Sequence, residues 1–133
     1  MRRGSLLDSF ALLAFLNHES GSESVRDLLR SARAKKEPLL MNEVNLGEVY
    51  YRTAKQRSVE RAEAVLDYIA TLPLRTLGNT YDQVLAAARL KAGFPISYAD
   101  AFAVATAQRE RATLVTGDAE LHAVEHLVPI RWI

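Results

Sequence analysis

The sequence predicts an α/β fold in which a mostly parallel sheet of four or five strands is covered by helices on both faces. Short apolar runs of strand length alternate along the chain with longer segments whose apolar residues recur at helical spacing. Such alternation is typical of parallel sheets that are buried on both sides. The length of 133 residues, of which 49% are hydrophobic and 25% charged, suits one globular domain spanning residues 1–133.

The first half of the chain begins with a strand that is predicted to end at Leu7. Asp8 follows at the junction, and a continuous apolar helix is predicted over residues 11–16. Apolar residues at i, i+3, i+4 and i+7 predict the next helix, which ends near Ala34. The remaining elements of this half are a strand at residues 39–41, two helices within 43–72 that are joined near 56–58, and a strand at Leu74–Leu77.

The second half continues the alternation. A helix is predicted from Tyr81 to Lys91, and Gly93 ends it. Residues 95–100 open a helix over 101–107 that is apolar nearly all round and is therefore expected to be buried. The last elements are a strand at Thr113–Thr116, a turn at 117–118, a short helix at 119–123 and a closing strand at 128–132, where Pro129 indicates a sheet edge.

Composition excludes several classes of protein. No apolar segment approaches the ~18 residues that a membrane-spanning helix needs. The absence of cysteine excludes disulfides, thiol nucleophiles and Cys-ligated zinc, and it fits a reducing compartment. The start shows no signal-peptide pattern, so we expect a cytoplasmic protein whose residues 1–5 are disordered or partly vector-derived. The formal net charge of +1 means that nucleic acid would have to be attracted by a local patch or by bound cations.

Four acidic residues occupy corresponding places near strand ends or helix starts. Asp8 follows the first predicted strand and Asp118 follows the fourth, so in a parallel sheet both are expected at the same edge. Asp100 lies at the start of the buried helix that precedes the fourth strand. Glu48 lies about a turn and a half into the helix after the second strand, from where its side chain can reach back over the sheet edge. We therefore expect the four carboxylates to converge on one pocket.

Each acid alone also fits a purely structural role. Asp8 suits a helix cap, Asp118 a turn, Asp100 a capping box with Ser97, and Glu48 an i, i+4 ion pair with Arg52. Four carboxylates in one pocket, however, would raise one another's pKa values and destabilise the fold unless cations lay between them. Hard oxygen ligands without cysteine or clustered histidine select Mg²⁺ or Mn²⁺, and two such ions about 3.5–4 Å apart can promote phosphodiester hydrolysis.

Other catalytic patterns are weaker. His122 and His126 are four residues apart, as in half of a zinc site, but the first is not followed by glutamate in H-E-x-x-H form and no third ligand is evident. The sequence has no G-x-S-x-G elbow for a hydrolase triad and no glycine-rich phosphate-binding loop. The acidic residues therefore remain the strongest candidate site.

Four blocks of sequence carry a family resemblance. They are LDS at residues 7–9 with ALLA at 11–14, NLGEV at 45–49, SYADAF at 97–102 and LVTGD at 114–118. In this order the blocks resemble the signature of the PIN-domain ribonucleases, and among these the chain is most similar to the VapC-type toxins of prokaryotic toxin–antitoxin pairs. The resemblance extends from about residue 6 to residue 132.

The resemblance implies a Mg²⁺- or Mn²⁺-dependent endoribonuclease acting on single-stranded RNA. Its acidic quartet would be Asp8, Glu48, Asp100 and Asp118, with the first, third and fourth binding metal and Glu48 acting as a ligand or as a base. Ser9 and Thr116 would be polar helpers to the attacking water. Phe10 departs from the family pattern, which usually has a small, often hydroxylated residue at this position. The resemblance further implies 5′-phosphate and 3′-hydroxyl product ends.

The resemblance also implies protein partners, namely a second copy of the chain in a homodimer and an antitoxin whose tail blocks the site. The helices within residues 43–72 are the expected surface for both, because their apolar faces exceed what one sheet needs for cover. The alternative is a binding module, either a catalytically silent PIN-like domain or a receiver-like domain, that uses the acids to hold one cation or a partner. A receiver domain would need a second acid beside Asp8 and a lysine after a late strand, and the sequence offers neither.

Overall fold

The computed structural model describes residues 4–133; Met1, Arg2 and Arg3 lie outside the described residues. Within that range the elements in chain order are β1 (Ser5–Leu7), α1 (Ser9–Leu16), α2 (Ser22–Lys35), β2 (Leu39–Asn42), α3 (Glu43–Gln56), α4 (Val59–Ile69), β3 (Leu74–Leu77), α5 (Tyr81–Gly93), α6 (Tyr98–Glu110), β4 (Thr113–Thr116), a 3-10 helix (Ala119–Val124) and β5 (Ile130–Trp132). Ser5, which the sequence prediction assigned to a disordered or vector-derived start, pairs with Thr113 as the first residue of β1.

The strands form one five-stranded sheet in the order β3-β2-β1-β4-β5, and every neighbouring pair is parallel. The chain builds outward from β1 to β3 and then returns to add β4 and β5 on the other side of β1. The junction between β1 and β4 is therefore the topological switch point of the sheet. In open α/β sheets, ligands bind in the crevice outside the carboxyl ends of the strands at such a point.

Two hydrophobic cores cover the two faces of the sheet. Leu7, Met41 and Val115 are buried on the face covered by α1 to α4. Their neighbours along the same three strands, Leu6, Leu40 and Leu114, are buried on the face covered by α5, α6 and the 3-10 helix. Because alternate residues of a strand point to opposite faces, burial on both sides requires the continuous apolar runs seen in the sequence. The predicted α/β class, with helices on both faces, is confirmed.

The end of β2 shows how one polar residue connects three elements. Asn42 is fully buried, and its Oδ1 caps α3 by accepting a hydrogen bond from the Val44 amide at 2.8 Å. Its Nδ2 donates to Thr106 Oγ1 in α6 at 2.8 Å and to Asn79 Oδ1 at 2.7 Å. A buried side chain with these partners fixes α3 against α6 at the edge where the acidic residues lie.

Smaller differences from the predicted elements concern the end of the chain. The short helix predicted at 119–123 is a 3-10 helix over Ala119–Val124, and the closing strand is the shorter Ile130–Trp132, at the predicted edge. Pro129 precedes this strand, and its carbonyl accepts from the Leu114 amide at 2.9 Å. No helix in the part of the chain described by the structure is both long and apolar enough to cross a bilayer.

Candidate active site

Asp8 lies at the switch point, directly after β1. Its amide donates to the Val115 carbonyl at 3.4 Å, which places it level with the end of β4. The side chain is fully buried, and its Oδ1 caps α1 by accepting from the Ala11 amide at 2.8 Å. Its Oδ2 is buried and has no hydrogen-bond partner among the described residues. The cap therefore uses one carboxylate oxygen and leaves the other for a ligand.

Asp118 reaches the same edge two residues after β4. Its amide donates to Thr116 Oγ1 at 3.0 Å, and its own Oδ1 accepts from the Glu120 amide at 3.0 Å at the start of the 3-10 helix. Thr116 is fully buried, and its hydroxyl also lies close enough to Asp8 to lower the pKa of that carboxyl. Thr116 thus connects the two strand-end acids.

Asp100 lies in the first turn of α6, where the Ser97 hydroxyl accepts its amide hydrogen at 3.1 Å. The Asp100 side chain is 4% exposed, and its Oδ2 has no partner among the described residues. Asn45 of α3, which is fully buried, donates from Nδ2 to the Ala99 carbonyl at 3.0 Å. This hydrogen bond fixes the start of α6, and with it Asp100, against the helix that carries Glu48.

Glu48 is held by a contact across the site. The Ser9 hydroxyl in the first turn of α1 donates to Glu48 Oε1. The alternative of an i, i+4 ion pair with Arg52 is not found among the salt bridges of residues 4–133. Ser9 therefore turns the Glu48 side chain toward the segment that bears Asp8.

The electrostatics reflect this crowding. Burial raises the pKa of Asp8 to about 7, because desolvation disfavours the charged form, and the charges of Asp118 and Glu48 add to the rise. Burial also raises the pKa of Asp100 to about 8, with further contributions from Asp118 and Asp8. Asp8 thus interacts with all three of the other predicted acids, which lie around it at one edge of the sheet.

The donor set fits a hard divalent cation. Carboxylate oxygens of Asp100, Asp118 and Glu120 lie within 4.8 Å of one another, close enough to bind one ion together. Within residues 4–133, the buried Oδ2 atoms of Asp8 and Asp100 have no hydrogen-bond partner, which is costly for carboxylates unless a cation satisfies them. A site made only of oxygen ligands suits Mg²⁺ or Mn²⁺.

A comparison with protein-family models gives a match to the PIN domain over residues 5–127. The chain belongs to the PIN domain family. No curated protein sequence matches the chain at a significant level. The match to the PIN domain excludes the receiver-like alternative. The four sequence blocks that resemble the family signature all lie within the matched residues.

Solved structures with the same fold include several VapBC complexes. The PIN domain aligns with VapBC2 of Rickettsia felis, solved with a DNA fragment from its promoter, at a TM-score of 0.73 and 19% identity, covering 98% of each chain. The DNA-bound VapBC of Salmonella typhimurium gives a TM-score of 0.74 at 17% identity, again covering 98% of each chain. The VapC20 toxin of Mycobacterium tuberculosis, which cleaves the sarcin-ricin loop, gives 0.69 at 16% identity, covering 90% of this chain and 93% of that one. At these identities the similarity shows the shared fold.

The candidate site contains two residues, Glu120 and Asn45, that the sequence analysis does not predict. Glu120 is exposed and follows Asp118 by two residues, and only the tight 3-10 turn brings its carboxylate to the cluster. Asn45 lies three residues before Glu48, on a helix whose packing partner could not be known in advance. The spacing of Asp118 and Glu120 was the available signal for the first, but acidic residues are common on exposed turns.

The departure at Phe10 has a structural counterpart in Gly117. A Cβ on Gly117 would lie 2.3 Å from Phe10 Cε1 and 2.9 Å from Phe10 Cζ. The end of the Phe10 ring therefore lies against the backbone between Thr116 and Asp118. In this PIN domain a glycine before Asp118 leaves room for that ring.

We expect Gly117→Ala to destabilise the domain by about 1 kcal/mol, because the added methyl group must displace the ring. This loss of stability lies near the lower end of the range for overpacking, because the displaced atoms are the far end of the Phe10 side chain, which is 39% exposed. Urea unfolding measures the change. The double variant Phe10→Ala/Gly117→Ala should lose the penalty relative to Phe10→Ala alone, whereas an equal penalty in both backgrounds would contradict the contact.

Proposed function

We propose that this PIN domain is a divalent-cation-dependent endoribonuclease that hydrolyses phosphodiester bonds of single-stranded RNA, as the toxin of a toxin–antitoxin pair. The observation that carries the proposal is the group of acids at the switch point, in which Asp8 and Asp100 each keep one buried carboxylate oxygen without a partner in the described part of the chain. The raised pKa values of these two carboxyls, about 7 and about 8, support a bound cation, and the fold shared with the VapC20 toxin favours catalysis over a silent cation site.

The proposed roles of the side chains are supported by their positions. Asp8, Asp100 and Asp118 would hold Mg²⁺ or Mn²⁺, with Glu120 at the exposed side. When bound, such a cation stabilises the negative charge of the phosphate and favours ionisation of water. Glu48, oriented by the Ser9 hydroxyl, is placed to act as a further ligand or to accept the proton of the attacking water.

The remaining polar contacts keep these groups in place. Thr116 holds the backbone of Asp118 by accepting its amide hydrogen, and Asn45 fixes the start of the helix that bears Asp100. Attack of water on phosphorus with cleavage of the P–O3′ bond leaves a 5′-phosphate and a 3′-hydroxyl, and it needs no 2′-hydroxyl. The preference for RNA is supported by the fold shared with VapC20, which cleaves the sarcin-ricin loop.

An antitoxin and a second copy of the chain are the proposed partners, with the cytoplasm as the proposed location. The VapBC structures with the same fold belong to toxin–antitoxin systems. Helices α3 and α4 leave Tyr51, Val59 and Tyr68 between 47% and 57% exposed. A cavity of about 280 Å³ lies beside Tyr68, between the end of α1 and these helices. This surface fits an apolar partner helix, and light scattering of the purified chain would show whether a second copy covers it.

Cleavage of a mixed single-stranded RNA pool by the purified protein tests the activity. We expect cutting with Mg²⁺ and with Mn²⁺, none with EDTA, and products that carry 5′-phosphate and 3′-hydroxyl ends. Those ends separate this reaction from metal-free contaminating ribonucleases, which use the 2′-hydroxyl and leave 2′,3′-cyclic phosphates. RNA that stays intact with both metals, or that is cut equally in EDTA, would favour the catalytically silent alternative.

A further inference from the structure

Phe10 is an exposed aromatic residue whose neighbours in the sequence are buried. Its neighbours Asp8, Ser9, Ala11 and Leu12 are 0% to 4% exposed, yet Phe10 is 39% exposed. It belongs to neither hydrophobic core of the described residues. Hydrophobic packing of the fold therefore does not explain a phenylalanine at this position.

The end of the ring nevertheless lies against the backbone of the site. Its end lies so close to Gly117 that a Cβ there would be 2.3 Å from Cε1. Phe10 follows Asp8 by two residues, and Gly117 directly precedes Asp118. The ring thus bridges the two strand-end segments that bear these acids and forms part of the rim of the site.

We propose that Phe10 is a stacking platform for one nucleobase of the RNA, next to the phosphate that is held at the acidic cluster. This proposal rests on the proposed ribonuclease function and names a positioning residue for it. A base can stack on the exposed part of a ring whose other end is held by Gly117, and such stacking tolerates any base because every base has a π-face. Stacking would also set the register of the strand, so that one phosphodiester lies at the carboxylates.

Nucleic acid fits this ring better than a protein partner does. An apolar protein segment needs a continuous apolar surface, but the residues beside Phe10 on the site edge are the glycine and carboxylates described above. A nucleotide combines a flat apolar base with an adjacent phosphate, which matches one aromatic ring beside a cation-binding cluster. The apolar residues exposed on α3 and α4 form a separate surface.

Binding of single-stranded RNA oligonucleotides, followed by fluorescence anisotropy, tests the proposal. Ca²⁺ replaces Mg²⁺, and gels verify that the RNA stays intact. We expect Phe10→Leu to weaken binding by about tenfold, within the range for loss of one base stack, and Phe10→Tyr and Phe10→Trp to stay within about twofold of wild type. Tyr81→Leu is the matched control, because Tyr81 is 75% exposed and starts α5, which follows β3, a strand separated from β4 by β2 and β1.

RNA oligonucleotides that lack a single base show whether the contribution of Phe10 to binding depends on stacking with that base. Abasic nucleotides are placed at each position in turn. At one position the abasic RNA should bind wild type about tenfold more weakly and should bind wild type and Phe10→Leu equally. Thermal unfolding verifies that the variants are folded.

The possible failures are distinct. If wild type cleaves RNA with Mg²⁺ but Phe10→Leu binds every oligonucleotide as wild type does, the stacking proposal alone is wrong. A Phe10→Leu defect that persists equally at every abasic position also overturns stacking, and an effect confined to binding of the antitoxin would assign the ring to protein recognition. If wild type neither binds nor cleaves RNA, both proposals are wrong.

Discussion

Asp100→Asn is expected to lower the rate of metal-dependent RNA cleavage by at least about a hundredfold. Asparagine keeps the shape of the side chain, and the Ser97 cap of the Asp100 amide does not depend on the carboxylate. The substitution would remove one of the proposed anionic ligands and weaken cation binding, and the charge stabilisation that such a cation supplies would contribute several kcal/mol to phosphodiester hydrolysis. Initial rates on one RNA with saturating Mg²⁺ measure the effect.

The same variant should be more stable than wild type when no metal is present. At about pH 7.5, wild type must either keep Asp100 protonated or bury its charge, and asparagine removes that cost, which we expect to be on the order of a few kcal/mol. A variant that is inactive and yet unfolds at a higher temperature in EDTA has lost its catalytic activity but kept its fold. Asp27→Asn is the matched control, because Asp27 is an exposed acid on α2. Asp100→Asn with wild-type activity would exclude Asp100 as a ligand.

The strands could be predicted from the sequence because both faces of the sheet are buried. Leu6 and Leu7 of β1 face opposite cores and must both be apolar, and Asp8 stands out because it interrupts this apolar run where the strand ends. Parallel pairing then placed Asp8 and Asp118 at one edge without knowledge of the strand order. The order itself, with β1 next to β4, could not be read from periodicity, since an apolar strand of four residues carries no information about which strand lies beside it.

The parts of the site that the sequence did not predict depend on side-chain rotamers and loop conformations, which a hydrophobic pattern does not determine. Asp8 is both a helix cap and a member of the acidic cluster, so the structural and functional interpretations, which compete in the sequence, are compatible in the structure. The contact of Phe10 with Gly117 depends on one rotamer and one loop path. The approach of Glu120 to Asp118 depends on a 3-10 turn rather than an α-helix. Sequence reasoning finds residues that must lie at the edge of the sheet, but not those that a loop brings there.

Without metal, the stability of wild type is expected to fall as the pH rises from about 5 to about 8. The folded-state pKa values of Asp8 and Asp100 are raised from 3.8 to about 7 and about 8, so in this range the folded protein binds more protons than the unfolded chain. The stabilising contribution of these two protonated groups is therefore complete below about pH 4 and is lost as the pH rises through the folded-state values. Urea unfolding in EDTA at several pH values measures the decline, for which we expect a few kcal/mol.

A divalent cation should oppose this loss of stability with rising pH. Carboxylates bind Mg²⁺ in their deprotonated form, so the ion competes with protons and stabilises the folded state more at about pH 8 than at about pH 5. The double variant Asp8→Asn/Asp100→Asn has no carboxylate to titrate at these positions, although asparagine at position 8 can still cap α1. Its stability should therefore vary less with pH between these limits and respond weakly to Mg²⁺, with KCl of equal ionic strength as the control. If wild type and the double variant show the same pH profile and the same response to Mg²⁺, these two carboxyls are neither the groups that titrate nor the ligands of the ion.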